Sequence, residues 1–383
     1  MTQTQAVSEH GWRLEAFDPP DEAQAREIAR FMRSQHSPPE SYPREKDRLI
    51  DWKLRRNVRH PGFASAMVTT SDERVVSLCT ITPKRLWAFG AERPWAEIGD
   101  TFTDPAYHRR GMFSAVVNAT RERAERGGFP LIFGLPNDQS APGYTGKLNF
   151  PIKADTGHVN CSLPVSARAL VTRLPASRSS APWYPIAEGA VSNPAVAATS
   201  RALVWTLLTR PSPRGVTVRE VGSFGDEYDA LWARVRDAVP VTQVRDAAYL
   251  RWRYLDNPFT FRVLEARRGG ALAGYLVTLV LRDEQRTDLR RLYIVDWFFH
   301  PDDGDTVGRA LLDAALRTVL DEGIDMVTAQ AVRRSPVQLP WRYFGFILRP
   351  WSKPVIVYRN AEGARLLDDP SPWHFTLGDT DAF

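Results

Sequence analysis

Apolar side chains between residues 112 and 126 recur at helical spacing. Met112, Val116, Val117, Ala119 and Thr120 share one face, and Arg121, Glu122, Arg123, Glu125 and Arg126 take the other. A stripe of that period predicts an amphipathic helix lying on a sheet. Similar patterns predict helices over 23–35, 225–238 and 309–320. Alternating or continuously apolar runs predict strands over 64–70, 75–82, 131–135, 262–266, 272–280 and 326–329, and 215–221 alternates in the same way. In chain order, a helix, a hairpin-like pair of strands and a strand–helix–strand unit occur twice. Antiparallel strands feeding such a unit predict an α+β fold, each half a mixed, mostly antiparallel sheet flanked by helices.

The halves also echo each other residue by residue. DWKLRRN at 51–57 parallels RWRYLDN at 251–257, so Trp52 and Asn57 return as Trp252 and Asn257. DTFTDP at 100–105 parallels DWFFHP at 296–301, and LNF at 148–150 parallels FGF at 344–346. Three ordered matches at nearly constant separation predict a duplicated module. Residues 164–213 are rich in Pro and Ser and break the pattern, with one helical run at 195–208. The 383 residues are thus expected to form an N-terminal module over 1–160, a connector over 161–213, and a C-terminal module with its tail over 214–383.

Composition narrows the class. A hydrophobic fraction of 43% with 25% charged residues describes a globular chain. No apolar run is long enough to span a membrane and residues 1–12 lack a signal core, so a cytoplasmic, non-membrane protein is expected. Two cysteines, Cys79 and Cys161, suggest no disulfide framework. The seven histidines include neither HExxH nor zinc-type spacing, so no metal site is expected. A formal charge of +5, carried mainly by arginine, suits a polyphosphate cofactor or an acidic substrate. Without a concentrated basic tract, nucleic acid is not an expected partner.

The densest chemistry lies at 104–113, DPAYHRRGMF. A proline-led turn, two arginines and a glycine precede the helix, and N–H groups converging before a helix make an anion cradle. Arg109 and Arg110 are either phosphate contacts or a solvated basic rim. On these residues, and on the duplicated order of elements, the chain resembles the GNAT superfamily of N-acetyltransferases in a tandem arrangement. The resemblance covers most of 20–160 and 215–359. The family's diphosphate signature, Gln/Arg-x-x-Gly-x-Gly/Ala, falls on His108, Arg109, Arg110, Gly111, Met112 and Phe113, with the central Gly111 retained and His108 and Phe113 departing from the pattern.

The resemblance implies that acetyl-CoA, or another short acyl-CoA, binds the first module. Its diphosphate would rest on residues 108–113 with Ser114, and its pantetheine would lie between splayed strands against Phe102, Thr103 and Asn137. Asn137 equally suits a structural role in its own turn. In the second module, Asp302, Asp303 and Asp305 replace the arginines and would repel a diphosphate, so chemistry is expected in the first module only.

Acyl transfer to an amine needs a base, a polarised carbonyl and a proton for the departing thiolate. Asp100 and Glu97 precede the cradle. On a regular strand residues three apart face opposite sides, so one of the two is expected to face the substrate. The family's usual acid tyrosine would fall on Thr145, leaving Tyr144, one place earlier, as acid or as a packed aromatic. Trp52 and Trp252 are read as anchors of a helix end, with Arg55 or Arg56 fringing a pocket. The expected function is N-acylation of a small-molecule amine. The alternative is a non-catalytic tandem-GNAT sensor or scaffold. Monomer and homodimer remain equally open.

Overall fold

The computed structural model describes residues 11–35, 44–57, 65–71, 74–153, 157–171, 211–283, 288–350 and 355–381, with isolated positions between 193 and 204. The helix expected at 195–208 lies almost wholly outside them.

The first module opens with β1 (Arg13–Phe17) and α1 (Glu22–Ser34). Asp21 starts α1 in a capping box: its side chain accepts from Gln24 N, and the Gln24 side chain accepts from Asp21 N. The chain then builds β2 (Ser65–Ser71), β3 (Arg74–Ala88), β4 (Ala91–Thr103), α2 (Met112–Arg126) and β5 (Leu131–Gly134). Sheet order is β1-β2-β3-β4-β5. Neighbours run antiparallel except β4 and β5, which are parallel and joined by α2. Val116, Val117, Thr120 and Ala124 are the buried face of α2, as the apolar stripe predicts.

A short helix, α3 (Ala141–Lys147), leads to β6 (His158–Pro164). The second module follows with β7 (Val216–Val221), α4 (Asp226–Val235), β8 (Val241–Gln243), β9 (Phe261–Arg268), β10 (Ala271–Asp283), β11 (Leu289–Phe299), α5 (Arg309–Asp321) and β12 (Met326–Val332). The chain closes with β13 (Ile347–Pro350), β14 (Ile356–Val357) and β15 (Trp373–His374). The second sheet repeats the first: β9, β10 and β11 are antiparallel, and β11 pairs parallel with β12 across α5. Two mixed, mostly antiparallel sheets flanked by helices are thus present, in the expected α+β class.

The two sheets exchange strands, which no pattern in the sequence announces. β6 lies in the second sheet, antiparallel to both β12 and β13. In return, β14 pairs with β5, β8 pairs with β3, and β15 pairs with β8, all in the first sheet. Residue 160, where the sequence divides, is therefore inside a strand of the second sheet.

Both halves carry a matching π-turn, Asp51–Arg55 and Arg251–Leu255, each closed by a bond five residues back: Arg56 N to Asp51 O at 3.2 Å and Asp256 N to Arg251 O at 3.1 Å. The extra residue in such a turn swings neighbouring side chains off the ordinary helical register. Here it brings Lys53 into the first module's interior, where its side chain is 4% exposed.

Candidate functional site

The site begins where β4 and β5 part. Their pairing runs from Trp95–Leu131 to Glu97–Phe133 and stops, while β4 continues to Thr103. The far stretch of β4 therefore has an open edge, as the splay implied by the resemblance requires. At the same place β4 bulges against β3: Thr80 faces Gly99, but Leu78 faces Phe102. Asp100 sits in the bulge with φ 44°, in the left-handed region that non-glycine residues rarely adopt. A bulge inserts one residue and re-aims its neighbours. Alternation on a regular strand placed Glu97 and Asp100 on opposite faces; the bulge brings both to one cavity.

That cavity, of about 230 Å³, is lined by Lys53, Glu97, Asp100 and Asp381, with Leu135 and Leu377 as apolar walls and Gln330 entering from β12. Lys53 is paired with the Asp100 carboxylate, which also accepts from Thr80 Oγ1 at 2.9 Å. Burial lowers the Lys53 pKa against the attraction of Asp381 and Glu97. Lys84, wholly buried on β3, donates to Glu97 Oε2 at 2.5 Å and to the Asp379 carbonyl at 2.6 Å, and lies 3.1 Å from Asp381 Oδ1. Burial and the Asp381 carboxylate push Glu97 up to about 7, against the pull of Lys84. Burial acts in the same direction on Asp381, but Lys84 and Lys53 outweigh it and hold that carboxyl at about 2.

The sequence reading missed Lys53, Lys84 and Asp381. A signal existed for two of them. Lys53 and Arg253 both follow the matched tryptophans, and Lys84 directly extends the uncharged run at 75–83, where a buried ammonium calls for a counter-ion. Arg55 and Arg56 instead pair with Asp51 at the rim of a separate polar groove.

The cradle lies at the outer end of the splay. Asp104 Oδ1 accepts from Ala106 N at 2.9 Å and starts a 3₁₀ turn, Pro105–Tyr107. Arg109 and Gly111 both have positive φ, 66° and 79°, and turn the backbone into α2. Gly111 caps α2 without a side-chain bond, so the first-turn N–H groups of Met112, Phe113 and Ser114 have no intrahelical acceptor. Arg109 and Arg110 are exposed, and among the described residues neither has an ion-pair partner; Arg110 stacks on Tyr107 with 4.9 Å to the ring centroid.

Three of the expected site residues make contacts within the protein. His108 Nε2 lies 3.0 Å from the Thr103 carbonyl and braces the turn. That bond engages the Thr103 carbonyl, on the stretch of β4 expected to meet pantetheine. Asn137 Oδ1 accepts from Gln139 N at 3.0 Å and Ser140 N at 2.9 Å, holding its own turn ahead of α3, which is the structural alternative. Met112 is buried core rather than a cofactor contact through its side chain.

Tyr144 is buried, with its hydroxyl 2.6 Å from Thr101 Oγ1 beside the bulge. Burial and the neighbouring Cys79 thiol raise its pKa well above the ordinary value. Phe113 meets Tyr144 edge-on, ring centroids 5.5 Å apart. Gly143 makes room for this: a Cβ there would lie 2.6 Å from the Phe113 ring. Thr145, the family position, points away and bonds the Ala141 carbonyl.

The second module lacks this opening. β11 and β12 part after Ile294–Ala329, but fully buried Trp297 fills the gap, its indole donating to the Val337 carbonyl at 3.0 Å. His374 Nε2 donates to the Trp297 carbonyl at 2.9 Å. Asp296, counterpart of Asp100, is buried against Arg245 at 3.1 Å, Tyr275 and Thr376. The tail thus fills the second cleft and forms one wall of the first cavity.

Residues 22–152 match the family described as "Acetyltransferase (GNAT) domain". No curated protein matches the chain. Among solved structures, a probable N-acyltransferase from Enterococcus faecalis V583 is similar at 12% identity and TM-score 0.56, covering 90% of this chain and 72% of that one. Saccharomyces cerevisiae N-myristoyltransferase with bound myristoyl-CoA is similar at 11% identity and TM-score 0.61, covering 92% and 79%. A GCN5-related N-acetyltransferase from Anabaena variabilis gives 13% identity and TM-score 0.58, covering 92% and 74%. The fold is that of the GNAT acetyltransferase superfamily, built twice in tandem. Among the described residues, no three His, Cys, Asp or Glu side chains are grouped to hold a metal, and no helix is long and apolar enough to cross a membrane.

Proposed function

We propose that the first module is an acyl-CoA-dependent N-acyltransferase, transferring acetyl or another short acyl group to the amine of a small molecule. The observation that carries this reading is one line of groups along β4. Arg109, Arg110 and the N–H groups of Gly111 to Ser114 stand at its outer end, the open edge of β4 runs along it, and Glu97 and Asp100 face the cavity at its inner end. The cradle fits a diphosphate because it offers free N–H groups, a helix N-terminus and two unpaired guanidiniums together. In the second module Asp302, Asp303 and Asp305 stand ahead of the matching helix, where their charge opposes a diphosphate.

In the proposed reaction Glu97 accepts a proton from the bound ammonium, and the neutral amine attacks the thioester carbonyl. A C–N bond forms and the C–S bond breaks; Tyr144 gives its proton to the thiolate, the second proton lost by the nitrogen passes through solvent to restore the tyrosine, and Glu97 releases its proton to solvent. A carboxyl with a pKa of about 7 is matched to a base working near neutral pH. Burial keeps Tyr144 protonated, so its hydroxyl carries the proton that the thiolate requires.

Calorimetric titration with acetyl-CoA, followed by an amine screen for thiol release, tests the reading. One site per chain with turnover supports it. Binding without turnover on any amine supports the non-catalytic sensor, and no binding removes both.

A further inference from the structure

Lys84 stands between two carboxylates and neutralises at most one of them. Glu97 comes from β4 of the first module; Asp381 arrives from the far end of the chain, on a tail anchored in the second module. The anchoring is extensive. Arg253 donates to the Gly378 carbonyl through Nε and to the Thr380 carbonyl through a terminal nitrogen, both at 2.9 Å. Arg245 binds Asp379 at 2.8 Å, and Lys84 itself holds the Asp379 carbonyl. Asp381 is thereby delivered to the cavity, 3.1 Å from Lys84, with its N–H directed at Glu97 Oε1 at 3.5 Å.

On the reading of the first module as an N-acyltransferase, we infer that Asp381 is a positioning residue for Glu97: by competing for Lys84 it keeps Glu97 a proton acceptor instead of an inert half of an ion pair. The groups around Glu97 are Lys84 on β3, Lys53 on the π-turn, Asp100 on β4, Asp381 on the tail, and Tyr249 and Arg253 behind them. Of these, Asp381 is the anion that shares the Glu97 counter-ion. Two carboxylates a few ångströms apart cannot both be stabilised as anions by one ammonium, so the one more firmly ionised leaves the other basic. Asp381 also faces Lys53 and is the more firmly ionised of the two. The second module, through its hold on the tail, thus sets the basicity of a residue in the first.

The test is Asp381→Asn, which keeps shape and removes charge. The Glu97 carboxyl is followed through pH by isotope-edited infrared or carbon NMR of the full-length protein, its signal identified by loss in Glu97→Gln. The expected result is a fall in the Glu97 titration midpoint of about one to two pH units, because Lys84 then serves Glu97 alone. The acid limb of kcat/KM should move down with it. A midpoint unchanged within about 0.3 units, even in a variant of lower stability, overturns the inference, since a merely structural Asp381 would change Tm alone. The carboxyl readout needs no turnover. A wild type that releases no thiol with any amine defeats the enzymatic reading, while the position of the Glu97 midpoint still decides the role of Asp381.

Discussion

Trp52 and Trp252 stack face to face, ring centroids 4.4 Å apart and planes 11° from parallel, and each donates its indole N–H to the other's backbone carbonyl. The bonds are 2.8 Å from Trp52 to Trp252 O and 3.3 Å in return. The two matched segments of the duplicated sequence therefore meet on a local two-fold axis. The next residues, Lys53 and Arg253, turn outward from this axis to the first cavity and to the tail. The stack joins the two modules beside the strands they exchange, next to Lys53 at the base of the site.

Trp52→Ala should destabilise the protein by about 3–5 kcal/mol, the range for emptying a large buried aromatic site. Trp52→Phe should cost less, because the stack survives and one hydrogen bond is lost. Denaturant unfolding measures both. A cost below about 1 kcal/mol for the alanine variant would mean the modules are held together elsewhere.

Much of the fold was legible because duplication left paired marks at fixed offsets. Trp52 and Trp252 touch, and Asp100 and Asp296 occupy matching places on β4 and β11. The α2 stripe, the cradle and the splay follow from local pattern and from the resemblance. What could not be read is non-local or irregular. Pairing of β6 with β12, and of β14 with β5, is set by tertiary packing, and nothing in the alternation of either segment distinguishes its own sheet from the other. The Asp100 bulge overturned a face assignment that assumed period two. Asp381 became visible only when the tail was seen to cross between modules.

Arg109→Ala with Arg110→Ala should weaken acyl-CoA binding by about 10- to 100-fold, the scale of losing charge-assisted bonds to phosphate. The wild-type affinity should also fall with added salt, and the double variant's less so. Calorimetry at two ionic strengths decides it. Equal affinities would show these arginines to be a solvated rim.

The contribution of Glu97 to stability should fall with pH across the range where it titrates. Its folded value, about 7, lies above the ordinary 4.5, so the folded state binds the proton more tightly. This contribution is complete below about pH 4.5 and is lost as pH rises through about 7; its size is at most about 3 kcal/mol. Asp381 acts oppositely: its contribution is present above pH 3.8 and is lost as pH falls through about 2. Buried His158 and His374, held down at about 4 and 3, add an opposite slope below about pH 6.5 to both proteins, so it is the difference in unfolding free energy, wild type minus Glu97→Gln, that should decline between pH 5 and 7.5. Parallel curves would place the titration on another group.

Gly378→Ala should loosen the tail. A Cβ there would overlap the Tyr254 hydroxyl and stand 2.8 Å from the Asp296 side chain, both buried. Overpacking of this kind costs about 1–3 kcal/mol. Displacing this turn also withdraws Leu377, Thr380 and Asp381 from the first cavity. Limited proteolysis should therefore cut the variant near its C-terminus faster than the wild type, and thiol release should fall with it. Unchanged digestion would show that the second module accommodates the methyl group.

Tyr144→Phe separates a proton donor from a packed aromatic. The ring makes edge contacts with Phe113 and Phe150, centroids 5.5 and 5.3 Å away, and phenylalanine preserves both. The substitution removes the bond to Thr101, worth about 1 kcal/mol of stability, so the variant should fold and bind acyl-CoA normally. If the hydroxyl supplies the thiolate proton, kcat should fall by about 100-fold or more with KM for acyl-CoA unchanged. The loss should shrink with donors whose thiols are more acidic, since such leaving groups need less help. An unaltered kcat would assign Tyr144 to the core and leave solvent as the source of that proton.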